Sequence, residues 1–373
     1  MLAHRLGEAR VARKKADEPV VGDNIQARIL SKLSKDKALG GVVKRASGSL
    51  FSDTPYYIST QSAMLDYAIG QPGVPAGKLT TIFGREGGGK STLAQHLLAE
   101  TQRVGGIAVY IDSEQRFDRT RAGRLGLNVD DLILIDGATM EQAFDAIEKV
   151  IDGVREEAVD VPVMVVYDSL AGAPLKKQLE AEMGDVIVGK AAALVGAVTP
   201  RLKLKISTLG VALVIVNQIR SRVQFVDPRS PSTYERIKVM GKEHTMIAEW
   251  PLIFHSALML YVNSISTTGE KDAPTGIRAR AIVRKCGIAP REMWQAEFDI
   301  DYLTGIDRTG SKFELLERLK IIEHTSAGWY AYTDSDRFGS KKFMRKAFVD
   351  ELAEHPELEQ IIREAPTKWQ TET

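Results

Sequence analysis

The chain has 373 residues, 44% hydrophobic and 27% charged, a balance that fits folded globular domains and excludes a disordered or fibrous chain. Its net charge of +1 excludes a global basic field, so any nucleic acid must be met by a local stripe of cations. A single cysteine, Cys286, excludes an internal disulfide framework and fits a reducing, cytoplasmic setting, and no apolar run approaches the roughly 18 residues of a membrane span.

In chain order, residues 1–22 read as a basic arm that lacks the apolar core of a secretory signal. Ile25, Ile29, Leu30 and Leu33 recur at helical spacing behind a cap at Asp23, which predicts a short amphipathic helix over 23–38 and a linker to residue 49. From residue 50 to about 300, short apolar runs alternate with amphipathic stretches. The runs 79–83, 107–111, 132–135, 161–167 and 211–216 read as strands, and 91–104, 141–157 and 189–206 read as helices. Strands this continuously apolar are expected to be covered on both faces, as in a mostly parallel sheet with helical crossovers. The fold class is therefore α/β and doubly wound. From 301 to 373 the texture turns to charged amphipathic stretches, which predict a small α/β or helical C-terminal domain.

The strongest motif is GREGGGKS, with Gly84, Gly89, Lys90 and Ser91 in the spacing of a phosphate-binding loop between a strand and a helix. Gly87, Gly88 and Gly89 let backbone N–H groups converge on phosphate oxygens, and Thr92 follows in the first helical turn. Lys90 supplies a point charge and the Ser91 hydroxyl suits Mg²⁺. The other strand ends are polar: Asp112-Ser-Glu114, Asp168-Ser169 and Asn217-Gln218. In open α/β sheets, ligands sit beyond the carboxyl ends of strands, so these groups are expected on one rim. Asp168 fits the second carboxylate of such a site, holding Mg²⁺ through its water shell. Glu114 suits a general base for the attacking water, and Gln218 a contact to the γ-phosphate.

These residues resemble the RecA-type recombinases. The likeness runs through LDYAIGQPGVPAGKLTTIFGREGGGKST, YIDSEQRFD, VVYDSLAGAP, EAEMGD, VNQIR, QAEFDI and AGWYAY, in the family's order and over roughly residues 23 to 365. It implies an ATP-dependent helical filament on single-stranded DNA that pairs with homologous duplex and exchanges strands. Glu114 falls on the family's catalytic glutamate, Gln218 on its nucleotide-sensing glutamine and Glu86 on the acid inside its loop. Asp118 lies where a carboxylate meets the adenine amino group, and Arg121 stands in place of the familiar adenine-stacking tyrosine. Arg284 and Lys285 match the pair of lysines that reach a neighbour's ATP. The helix over 23–38 is implied to dock on the next protomer.

Two loops are implied to reach DNA. The first spans 180–189, and the second, about 220–251, carries Arg220, Arg222, Phe225, Arg229, Arg236, Lys238 and Lys242. Cations that track phosphates beside occasional aromatic groups suit single strands. The long second loop, among other departures from the family's pattern, points to a divergent or phage-borne member. The rival readings on the same core are a replicative helicase, a recombination mediator, or a regulatory ATPase that binds no DNA. Helicases of this core usually carry a further large N-terminal domain and a zinc-binding mediator needs four cysteines, features this sequence lacks. The six histidines show no ligand spacing, so no metal beyond Mg²⁺ is expected; His96 reads as a packing or surface residue and Cys286 as a small packing residue.

Overall fold

Strand-forming residues cluster in short runs bounded by glycine or acidic turns, and each run becomes one strand of a central sheet. The computed structural model describes residues 25–37, 54–157, 161–180, 189–221 and 244–371. The chain divides into two units, Met1–Asp53 and Thr54–Thr373. In the first, Ile25–Ser34 is a helix, slightly shorter than the predicted span, on which Ile29 and Leu33 are exposed.

The second unit begins with a small ribbon, β1 (Tyr57–Ile58) paired with β2 (Val74–Pro75), on either side of the helix Ala63–Ile69. The described residues then build a ten-stranded sheet. Its strands are β3 (Leu79–Gly84), β4 (Ile107–Asp112), β5 (Ile133–Asp136), β6 (Val163–Asp168), β7 (Val211–Ser221), β8 (His244–Met246), β9 (Leu258–Glu270), β10 (Ala273–Cys286), β11 (Gln295–Asp301) and β12 (Gly305–Ile306). The order is β12-β11-β10-β9-β3-β7-β6-β4-β5, with β8 on β7. Pairings from β9 through β5 are parallel, whereas β9 to β12 run antiparallel and β8 is antiparallel to β7.

Alternate strand residues serve two cores, which is what a doubly wound sheet requires. Ile82, Met164, Val166 and Val214 join Leu93, Leu97 and Leu98 of the helix Lys90–Arg103. Phe83, Val165, Tyr167, Leu213 and Ile215 join Phe144 and Ile147 of Met140–Glu157 and Leu202 and Ile206 of Lys190–Leu209. β5 departs from the expectation of full coverage: it ends the sheet, and Ile133 and Leu134 are exposed there.

Beyond β12, the helix Arg308–Arg318 leads to an antiparallel sheet of β13 (Ile322–Ser326), β14 (Trp329–Tyr332) and β15 (Phe343–Met344), followed by helices Phe348–Glu354 and Glu357–Glu364. Phe313 meets Tyr330 and Phe348 edge to face, and all three pack in or against the core that contains Ile82 and Leu97. Among the described residues, no helix is long and apolar enough to cross a membrane.

Candidate active site

The glycines of the loop after β3 answer to crowding by β9 and β11. A Cβ on Gly84 would fall 1.8 Å from the Val262 carbonyl oxygen, and one on Gly88 2.8 Å from the same atom. Gly89 has φ +92°, and a Cβ there would lie 2.5 Å from the Ile300 side chain. The next residue opens the helix Lys90–Arg103, whose N-cap, Gly89, offers no side-chain bond. Its first N–H groups are thus left for an anion. Lys90 is buried and its Nζ donates to the Arg85 carbonyl at 2.6 Å. Burial pulls its pKa down, while the carboxylates of Asp168, Glu114 and Glu86 oppose that shift.

Strand register brings the predicted acids to the rim that holds this loop. Gly84 pairs with Gln218 across β3 and β7, and Asp112 with Asp168 across β4 and β6. Asp168 is buried and accepts from the Tyr110 hydroxyl at 2.9 Å. Burial raises its pKa; hydrogen bonds from Ser91 and Tyr110 and the charge of Lys90 work the other way. The Asp168–Ser169 peptide is cis. Glu114 is held by its neighbours: Oε1 accepts from Ser169 Oγ at 2.6 Å and from Gln218 Nε2 at 2.7 Å. Its Oε2 lies 3.2 Å from Arg116 Nη1, which is also 3.2 Å from Glu86 Oε1.

Asp112 fixes the turn that presents Glu114. Its buried carboxylate accepts the N–H groups of Glu114 at 3.1 Å and of Arg116 and Phe117 at 2.8 Å each. Asp118 caps the short helix Arg119–Arg124 through the Arg121 N–H at 3.0 Å, and is not among the cavity's lining residues. Arg121 Nη2 donates to Thr92 Oγ1 at 2.7 Å. A cavity of about 230 Å³ results, lined by Glu86, the loop 87–92, Glu114, Arg116, Arg121, Asp168 and Gln218, and also by Ile277, Ile300 and Tyr302. Uncapped helix N–H groups, a buried lysine and paired oxygen donors at Ser91 and Asp168 fit a phosphate chain with a hard divalent cation. Sequence reading missed Arg116, Tyr110 and Tyr302. It placed Ser169 on this rim beside Asp168 but gave it no role; its hydroxyl donates to Glu114.

Arg284 and Lys285 lie elsewhere. Lys285 pairs with Met259, which pairs with Thr81, so it lies level with the middle of β3 and away from Gly84. Lys285 Nζ donates to the Ile253 carbonyl at 2.6 Å, and Arg284 Nη1 lies 3.6 Å from Met293 Sδ. Neither lines the cavity. Of the predicted DNA-contacting residues, Arg220 belongs to β7 and pairs through its backbone with Thr245 of β8. Arg222, Phe225, Arg229, Arg236, Lys238 and Lys242 lie outside the described residues, as does 181–188 of the first loop. The two ends of the second loop are joined by the β7–β8 ribbon, which starts one residue after Gln218.

The RecA N-terminal domain family matches residues 25–307. Protein RecA of Herpetosiphon aurantiacus is 33% identical over 340 residues, which cover 91% of this chain and 88% of that protein. Protein RecA of Caldanaerobacter subterraneus is 38% identical over 312 residues, covering 82% and 84%, and that of Campylobacter fetus 35% identical over 326 residues, covering 86% and 88%. With its phosphate loop, Glu114 and Gln218 on one rim and this likeness over most of its length, the chain belongs to the RecA family.

Proposed function

We propose that the chain is a DNA-dependent ATPase that assembles as a helical filament on single-stranded DNA and exchanges strands with homologous duplex in recombinational repair. The observation that carries this reading is the contact between Glu114 and Gln218, because Gln218 leads within two residues into the ribbon that bears the second loop. In this reading nucleotide state and DNA contact are linked through one strand, β7.

In this reading Lys90 and the N–H groups of 87–92 hold the β- and γ-phosphates. Ser91 and Asp168 hold Mg²⁺, which supplies neutralising charge at the phosphates. Glu114 takes a proton from the attacking water as the bond to the γ-phosphorus forms, and ADP leaves with the electrons of the broken P–O bond. Ser169 and Gln218 fix the carboxylate so that it needs no rearrangement when it acts. Arg121 presents a flat guanidinium at the end of the cavity beside Tyr302, suited to stack on a base. Arg220, Arg222 and the cations that follow them track the DNA backbone. The helix Ile25–Ser34, with exposed Ile29 and Leu33, needs a partner surface, which the filament supplies from an adjacent protomer.

Hydrolysis measured with and without single-stranded DNA tests this. Stimulation by DNA is expected in the wild type, and Glu114→Gln should lower the stimulated rate by about 10²–10⁴-fold while ATP-dependent DNA binding persists. A rate indifferent to DNA would favour the regulatory ATPase.

A further inference from the structure

Arg116 stands at the mouth of the cavity, two residues beyond Glu114. Its Nη1 bridges Glu114 Oε2 and Glu86 Oε1, so one guanidinium ties the turn after β4 to the phosphate loop. The backbone of this residue is fixed, because the buried carboxylate of Asp112 accepts the N–H groups of both Arg116 and Phe117. The side chain is less so: it is 68% exposed and pairs with Glu86, 74% exposed, as well as with Glu114, 15% exposed. The pair with Glu86, open to water on both sides, is worth little and exchanges readily, and the pair with Glu114 is open on the Arg116 side. A fixed backbone carrying a loosely held guanidinium can change partners at low cost.

Charge shows which partner it would prefer. The charged residues lining the cavity are Lys90, Arg116 and Arg121 against Glu86, Glu114 and Asp168, so the lining is neutral as a set. Without Arg116 it would carry surplus negative charge around a site read here as taking a triphosphate. The bond to Glu114 matters in its own right. Ser169 and Gln218 occupy Oε1, and Arg116 covers Oε2, the oxygen otherwise left for water.

We propose that Arg116 reads the terminal phosphate within its own protomer, releasing Glu86 and Glu114 for the γ-phosphate oxygens and thereby uncovering Glu114 Oε2 for the attacking water. The proposal rests on the nucleotide-site reading above. A nucleotide that ends at the β-phosphate leaves Arg116 on the two carboxylates and the base covered. The planar fork of arginine suits a phosphate better than it suits two divergent carboxylates that share one nitrogen.

Calorimetric titration of ADP and of a non-hydrolysable ATP analogue, each with Mg²⁺, tests this on the full chain. Arg116→Ala should lose about tenfold or more in affinity for the analogue relative to ADP, the size expected for a charge-assisted contact. Arg116→Lys should recover part of that loss, since it restores a point charge without the fork. Glu86→Gln, which removes one competing carboxylate, should shift the preference toward the analogue. An unchanged analogue-to-ADP ratio in Arg116→Ala would overturn the proposal, even where Lys90→Ala weakens both nucleotides and so upholds the site. Lys90→Ala without effect on either nucleotide would overturn the site and the proposal together.

Discussion

His96 shows how a single side chain is committed by its surroundings. It is fully buried on the helix after the phosphate loop; Nε2 accepts the Ile306 N–H at 2.9 Å, and Nδ1 lies 2.6 Å from Gln61 Oε1. The first bond needs a bare Nε2, so the proton sits on Nδ1 and the ring is neutral. Burial, with help from the charges of Arg308 and Arg121, lowers its pKa from 6.5 to about 3. Below 6.5 the unfolded chain takes up a proton that the folded chain refuses until about 3, so this residue's contribution to stability falls as pH falls through that window. Asp66, whose carboxyl burial raises from 3.8 to about 6, has the opposite slope, losing stability as pH rises between those values. The difference between wild type and His96→Gln isolates the histidine. In urea titrations between pH 7 and pH 5, wild type should lose stability relative to the variant by up to about 1.4 kcal/mol per pH unit. Parallel curves would show that His96 accepts a proton in the fold. The sequence left His96 as a packing or surface residue and did not say what it bonds, because Gln61 and Ile306 are brought to it only by tertiary structure. Lys90, Ser91, Glu114, Asp168 and Gln218 were legible because each closes or follows an apolar run; strand register then aligns Asp168 and Gln218, while the phosphate loop and the Asp112 turn bring in Lys90, Ser91 and Glu114. Arg116 was not, since its position depends on the turn that Asp112 ties.

Among the elements, β3 and β9 make the closest approach at the site. Gly84→Ala would place its methyl 1.8 Å from a backbone oxygen of β9, which no side-chain rotation relieves. Forcing the two strands apart should cost at least about 1–3 kcal/mol and displace the loop that follows. The expected result is a lower melting temperature together with weakened ATP binding. Gly87→Ala, at φ +70° with open space around the added methyl, should strain the loop without separating strands. Equal effects of the two substitutions would mean that strand contact does not set the loop. The parallel strands β3 to β7 and their three long helices were legible from apolar runs and helical periodicity, with β7 running five residues past its predicted end. The hairpin of β9 and β10 was not singled out. Its burial alternates along much of β10, the pattern of a half-covered antiparallel strand rather than of a buried parallel one. The edge position of β5 was equally hidden, because the run 132–135 is as apolar as its covered neighbours and only topology exposes it.

At the scale of the molecule, the pair Arg284–Lys285 lies outside the nucleotide cavity, with Lys285 level with Thr81 in the middle of β3. One protomer cannot bring them together without dismantling its sheet, whereas a head-to-tail assembly can. Replacing Arg284 and Lys285 together by Ala should leave ATP binding near normal and abolish DNA-stimulated hydrolysis. Mixing that variant with Glu114→Gln should restore part of the activity, since each supplies what the other's site lacks. Absence of restoration at every ratio would place these cations outside the neighbour's site.

The most direct measurement of the central claim is strand exchange between a single strand and a homologous duplex, followed with ATP and Mg²⁺. The recombinase reading requires homology-dependent transfer of a strand into a new duplex, lost in Lys90→Ala and absent with a heterologous duplex. DNA-stimulated hydrolysis with sustained, homology-independent unwinding and no exchanged product would contradict it.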